Sequence, residues 1–191
     1  MTHRVKLVLL VVCLAVWGAA SAQAQSDSAL LGPLKQRWES IRRNVVRTAE
    51  AVPEDKYDYK PTPEVRSFRD QFVHIVEENY FFMSFVTGEK KAPPSNLNSK
   101  ADIIKALNDS YDYGSQALAG LNDQSALETV PLMGNRQGPR WSMALMNIVD
   151  NMDHYGNLVV YMRLNGIVPP SSPMVTPSSH LIESWRWVPF R

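Results

Sequence analysis

The sequence predicts an all-α protein, a single-domain four-helix bundle. Three observations carry this. Four segments of about 20 residues repeat apolar side chains at spacings of three and four, the period of one buried helical stripe. Proline, glycine and capping residues fall between these segments. No run alternates apolar and polar residues for long enough to compete as a sheet. Four helices with one stripe each hide them best against one another.

The first segment places Leu34, Trp38, Ile41, Val45 and Ala49 on one face. Pro33 suits a first turn, where a missing amide proton costs nothing, and Pro53 prevents continuation. The second opens with Ser67 and Asp70, spaced as in a capping box. Its stripe is Phe68, Phe72, Ile75, Val76, Phe82, Met83 and Val86, and Gly88 can close it in the left-handed conformation. Ser99 and Asp102 repeat the start signal for the third segment. There Ile104, Leu107, Tyr111, Gly114, Leu118 and Leu121 form a seam, with Gly114 allowing close helix approach. The fourth begins near Trp141 with the stripe Leu145, Ile148, Met152, Tyr155, Val159 and Met162, and stops at Gly166 and Pro169-Pro170. The connections 89–98 and 128–140 read as surface loops.

Before the bundle, residues 1–24 read as a secretory signal. Arg4 and Lys6 precede an almost unbroken apolar run, Leu7 to Ala20, and two A-x-A sites follow. The run is short of the roughly 20 residues a spanning helix needs. No Arg-Arg pair lies in the basic region, which favours general secretion over the twin-arginine route. Val12 before Cys13 disfavours lipid attachment. The expected location is therefore periplasmic or secreted, with no stable membrane anchor after cleavage. The bundle is expected over residues 25–170 and a Pro/Ser-rich tail over 171–191. The tail's Trp185, Trp187 and Phe190 are expected to dock on the bundle or on a second subunit.

Loss of the signal removes Arg4 and Lys6 and leaves 18 basic against 19 acidic residues. Such a balance argues against nucleic acid as a partner, which needs concentrated positive charge. Cys13, the only cysteine, goes too. Disulfides, thiolate nucleophiles and zinc-cysteine sites are thereby excluded. Imidazole chemistry must come from His74, His154 or His180.

His74 lies mid-way along the second helix and His154 along the fourth. Asp150 precedes His154 by four residues, so both point at one object. Two imidazoles and a carboxylate leave positions open on a divalent metal. Yet His74 sits roughly 140° from the centre of its helix's stripe, and His154 is similarly displaced, which leaves open that both face water. Phe81 and Phe85 near His74, and Leu158 and Tyr161 near His154, make a second apolar face that suits a groove. Glu78, one turn after His74, is either an extra ligand or base or a solvated carboxylate; Tyr161 is a further candidate. Asp153 points about 100° away from His154, toward solvent. His180 stands in the tail as an exposed polar residue.

The stretch Tyr57-Asp58-Tyr59-Lys60-Pro61-Thr62-Pro63-Glu64-Val65-Arg66-Ser67, followed by Phe72-Val73-His74, resembles the DinB family. The segment His154-Tyr155-Gly156-Asn157-Leu158 is similar to that family's histidine-arginine-glycine-glutamine-leucine element, and the likeness continues through Tyr161 to Pro170. It implies an up-down-down-up bundle, often dimeric, with a divalent metal (zinc, nickel, iron or manganese) held by three histidines. Two of those positions fall on His74 and His154. The third falls on Asp150, a departure that implies altered metal selectivity or a decayed site. Characterised members of the family include metal-dependent enzymes acting with low-molecular-weight thiols on small molecules. The resemblance therefore implies a thiol S-transferase, beside metal-assisted hydrolysis and a non-enzymatic binding or structural bundle.

Overall fold

The computed structural model describes residues 28–172; the signal-like leader, His180 and the aromatic tail lie outside them. Four long helices are present: α1 (Leu31–Ala51), α2 (Phe68–Thr87), α3 (Lys100–Ala119) and α5 (Trp141–Leu164). A short α4 (Asp123–Leu127) and two strands, β1 (Thr129–Pro131) and β2 (Gln137–Pro139), lie between α3 and α5. Among the described residues, no helix is long and apolar enough to cross a membrane.

Local chemistry sets the helix limits. Ser67 accepts from the Asp70 amide while the Asp70 carboxylate accepts from the Ser67 amide, a complete capping box. Ser99 and Asp102 repeat it at the start of α3. Two of the otherwise unpaired amides of each first turn are satisfied in this way. Gly88 ends α2 at φ +79°, a conformation in which a β-carbon is unfavourable.

Cross-helix contacts give the directions. Trp38 and Arg42 on α1 reach Ser115 and Asn108 on α3, in reversed order, so these helices are antiparallel. Phe68, Asn79 and Tyr161, Asn151 likewise oppose α2 to α5. Asn79 and Tyr80 meet Ser110 and Tyr113, so α2 and α3 run parallel. The order is up-down-down-up. Residues 88–99 must then return along the bundle, and Arg69 Nη1 ties their far end at the Asn98 carbonyl, 2.6 Å away.

The predicted stripes of α1 and α2 are buried in full, as is most of the α3 seam. The α5 stripe is not. Leu145 and Met152 are exposed, while Met143, Asn147, Asn151, His154, Leu158 and Tyr161 face inward. The buried face is rotated by about 90° from the apolar one, at 100° per residue. The cause is a polar layer in the core. Asn151 Nδ2 donates to Asn79 Oδ1 (3.1 Å) and Asn147 Oδ1 (2.7 Å), and its Oδ1 accepts from the Tyr111 hydroxyl (2.5 Å). Asn79 Nδ2 in turn donates to Ser110 Oγ. Amides joined in this way lose little on leaving water, although Asn147 Nδ2 has no hydrogen-bond partner among the described residues.

The connection 128–140 is a second correction. It is an antiparallel hairpin pairing Thr129 with Pro139 and Pro131 with Gln137, not irregular loop. Gly134 and Asn135 make its turn at φ +72° and +57°. Strands of three residues are too short to show an alternating pattern.

Candidate metal centre

Helices α2 and α5 cross antiparallel at the middle of the bundle and bring His74, Glu78 and His154 together. His74 and Glu78 are one turn apart on α2, and their Nε2 and Oε1 atoms lie 2.6 Å apart. His154 on α5 directs Nε2 at the same oxygen, 3.2 Å away. The imidazole rings meet edge to face, with centroids 4.8 Å apart. One ligand-type atom from each residue lies within 4.8 Å of the others, an arrangement that can hold a metal ion.

The surroundings fix these groups. Gln71, buried one turn before His74, sits with Oε1 2.9 Å from His154 Nδ1. That acceptor makes Nδ1 the donor and leaves Nε2 for the cluster. Glu78 is buried, and its second oxygen, Oε2, has no hydrogen-bond partner among the described residues. The hydrogen bond to Glu78 raises the His154 pKa above its ordinary 6.5, against the effect of burial. Burial lowers that of His74, opposed by the Glu78 charge. The two rings are thus unequal: the hydrogen bond to Glu78 favours the charged form of His154, whereas burial favours the neutral form of His74.

The sequence-selected residues divide. His74 and His154 converge, and neither splays into solvent. Asp150 stands beside them, with Oδ1 3.9 Å from His154 Nε2 and its side chain 41% exposed, at the rim of the cluster. Burial, and then the Glu78 charge, raise the Asp150 pKa. Glu78, read as a solvated carboxylate or an extra ligand, is buried at the centre. Tyr161 is buried among aromatic rings, edge-on to Phe68 at 5.5 Å and to Tyr59 at 6.4 Å. Asp153 faces solvent, as expected. Gln71 and the Asn79–Asn147–Asn151 layer were missed. Their one signal was spacing, since Asn147, Asn151 and His154 share a helical face, as do Gln71, His74 and Glu78.

Comparison with known proteins accords with this geometry. The sequence profile of the DinB superfamily matches residues 37–158, from α1 to the turn that follows His154. A DinB-like protein of Bacillus subtilis has a crystal structure similar to this chain, with a TM-score of 0.59 and 22% identity. The similarity covers 70% of this chain and 92% of that one. A DinB-like protein of Bacillus cereus gives a TM-score of 0.63 at 17% identity, over 73% of this chain and 95% of the other. At such identities the likeness speaks for the fold alone. Among curated proteins none matches. With the profile spanning most of the bundle and both histidine-bearing helices, the chain belongs to the DinB superfamily.

Proposed function

We propose that this chain is an exported, divalent-metal-binding protein that holds its ion through His74, His154 and the Glu78 carboxylate, with Asp150 at the rim. The observation that carries the reading is the convergence of two imidazoles on one buried carboxylate whose second oxygen has no hydrogen-bond partner among the described residues. A buried carboxylate oxygen with nothing to bind is costly, and a cation would answer it. Nitrogen and oxygen donors without a thiolate suit zinc, nickel, iron or manganese. At bond lengths of about 2.0–2.2 Å, tetrahedral ligands stand roughly 3.3–3.5 Å from each other. Glu78 Oε1 now lies 2.6 and 3.2 Å from the two nitrogens. A shift of less than about 1 Å, with the Nε2 proton of each imidazole lost or moved to Nδ1, would convert the hydrogen-bonded cluster into a ligand set.

A bound divalent ion would supply Lewis-acid polarisation and a lowered pKa for a water or thiol beside it. The chain's own residues do the rest. Gln71 holds the His154 ring in register. Glu78 compensates positive charge. Asp150, half-exposed and with a raised pKa, is placed to accept a proton at the solvent side of the cluster. Two enzyme classes fit, metal-dependent hydrolysis and thiol S-transfer. Export favours hydrolysis, because it removes the chain from the reduced thiol pool.

A second reading has one observation in its favour. Glu78 already hydrogen-bonds both imidazoles, so the cluster is nearly self-sufficient as a structural link between α2 and α5. Calorimetric titration of the dialysed protein with zinc and nickel separates the two. A metal-binding protein takes up one ion per chain, and His74→Ala and His154→Ala each abolish uptake. Saturation should also raise thermal stability, by about 2.7 kcal/mol at a hundredfold excess over Kd. If no ion binds and the variants merely destabilise the fold, the structural reading stands. A screen of the loaded protein with simple esters and thiols then divides the enzyme classes.

A further inference from the structure

The outer face of α5 carries an apolar stripe turned away from the bundle. Leu145, Val149, Met152 and Val160 are 40, 58, 47 and 53% exposed, and their spacings put them on one side of the helix. Beside the first half of that stripe, Leu132, Pro139, Met143, Leu145 and Met146 line a groove of about 490 Å³ between α5 and the hairpin. Soluble surfaces rarely leave such a stripe and groove contiguous without something to cover them.

The path of the chain after α5 indicates what covers them. Gly166 turns it at φ +70°, and the Ile167 amide bonds back to the Met162 carbonyl at 2.9 Å. Ser171 Oγ then accepts from the Tyr155 hydroxyl, and Ser172 Oγ accepts from Arg163. Ser171 lines a smaller groove with Ile41, Asn44, Met152 and Tyr155. The chain has therefore reversed, and Ser171 reaches the level of Tyr155 and the groove that Met152 lines. Leu145 lies only about 15 Å further along the helix. Trp185 follows Ser171 by 14 residues, a reach of up to about 46 Å. Residues 173–179 make a Pro/Ser-rich spacer, and Leu181, Ile182, Trp185, Trp187 and Phe190 follow.

We propose that residues 180–191 cover this face of α5 within the same chain, with Trp185 and Trp187 occupying the groove between α5 and the hairpin. The length of chain beyond Ser172 and the point at which it leaves select this occupant over a second copy, which would leave the tail's own aromatic residues uncovered.

Cross-linking in the full chain tests this, with Cys13→Ser removing the only natural thiol. Val149→Cys paired with Trp187→Cys should link within one chain under a short bis-maleimide. The yield should be about tenfold above that of Trp187→Cys paired with Arg47→Cys, an exposed position on α1. Equal yields, or a product found only between two chains, would overturn the proposal. If the cysteine variants do not fold, Val149→Asp in the otherwise natural chain provides a second readout. Tryptophan emission should shift to the red with increased acrylamide quenching, and unchanged emission and quenching would overturn the proposal equally.

Discussion

Gly114→Ala tests the packing that holds the bundle at its closest approach. A β-carbon built at Gly114 would lie 2.1, 2.7 and 2.8 Å from Cζ2, Cε2 and Cη2 of Trp38. Carbon atoms in contact prefer about 3.5–4.0 Å, so the indole would have to move by more than 1 Å. Trp38 is wholly buried, lies 5.0 Å from the Tyr111 ring, and donates Nε1–H to the Tyr111 carbonyl (3.2 Å) and Ser115 Oγ (3.1 Å). Overpacking costs about 1–3 kcal/mol. Losing one or both hydrogen bonds adds roughly 0.5–1.5 kcal/mol each. Replacing a helical glycine by alanine returns about 1 kcal/mol. The net loss is about 0.5–5 kcal/mol, which for a chain of this size lowers Tm by roughly 1–20 °C. Thermal unfolding followed by circular dichroism measures it. Gly156→Ala is the control: nothing lies within 4 Å of its added carbon, so only the propensity gain of about 0.5–1 kcal/mol should appear. A Gly114→Ala protein as stable as Gly156→Ala would refute the reasoning.

Three further outcomes follow from the site and the caps. Ser67→Ala removes one half of a capping box and should cost about 1 kcal/mol in urea unfolding. The Ser67 hydroxyl is also the main cause of the lowered Asp70 pKa. The stability from this pair is present above the unfolded value of 3.8 and is lost as pH falls through the lower folded value; Ser67→Ala should flatten that acid limb. In metal-free protein, NMR should show His154 titrating above 6.5 and His74 below it. His154 therefore contributes stability below 6.5 that is lost as pH rises through its folded value, and Glu78→Gln should move its titration downward. Asp150→His puts imidazole at the position where the family resemblance implies a third histidine. It should tighten zinc or nickel by about tenfold or more in calorimetry; unchanged affinity would place Asp150 outside the ligand set.

The bundle was legible because the main apolar stripes of α1, α2 and α3 face the core, which a period of 3.6 residues exposes directly. Helix α5 was read with its inward face turned by about 90°: Ile148 and Met162 of the predicted stripe are buried, whereas Leu145 and Met152 are exposed. Its core side carries Asn147, Asn151 and His154, and its outer side carries Leu145, Val149, Met152 and Val160. Polar residues on part of the core face and apolar ones outside shift the direction that hydrophobic periodicity reports. The site suffered from the same cause. His74 and Glu78 lie off the main apolar stripe of α2 and so resemble solvated residues. They are enclosed because α5 presents its own polar face to them. The pairing of His74 with His154 was offered first by their mid-helix positions and then by family resemblance, whereas Glu78 at the centre and Gln71 behind His154 required the three-dimensional crossing of α2 with α5. The hairpin was hidden by strands too short to carry a period.

Anomalous diffraction from crystals of the zinc-loaded protein tests the metal centre most directly. The expected result is one strong peak per chain, about 2.0–2.2 Å from Nε2 of His74, Nε2 of His154 and a carboxylate oxygen of Glu78. Zinc found only on surface carboxylates, with Glu78 still hydrogen-bonded to both imidazoles, would contradict it.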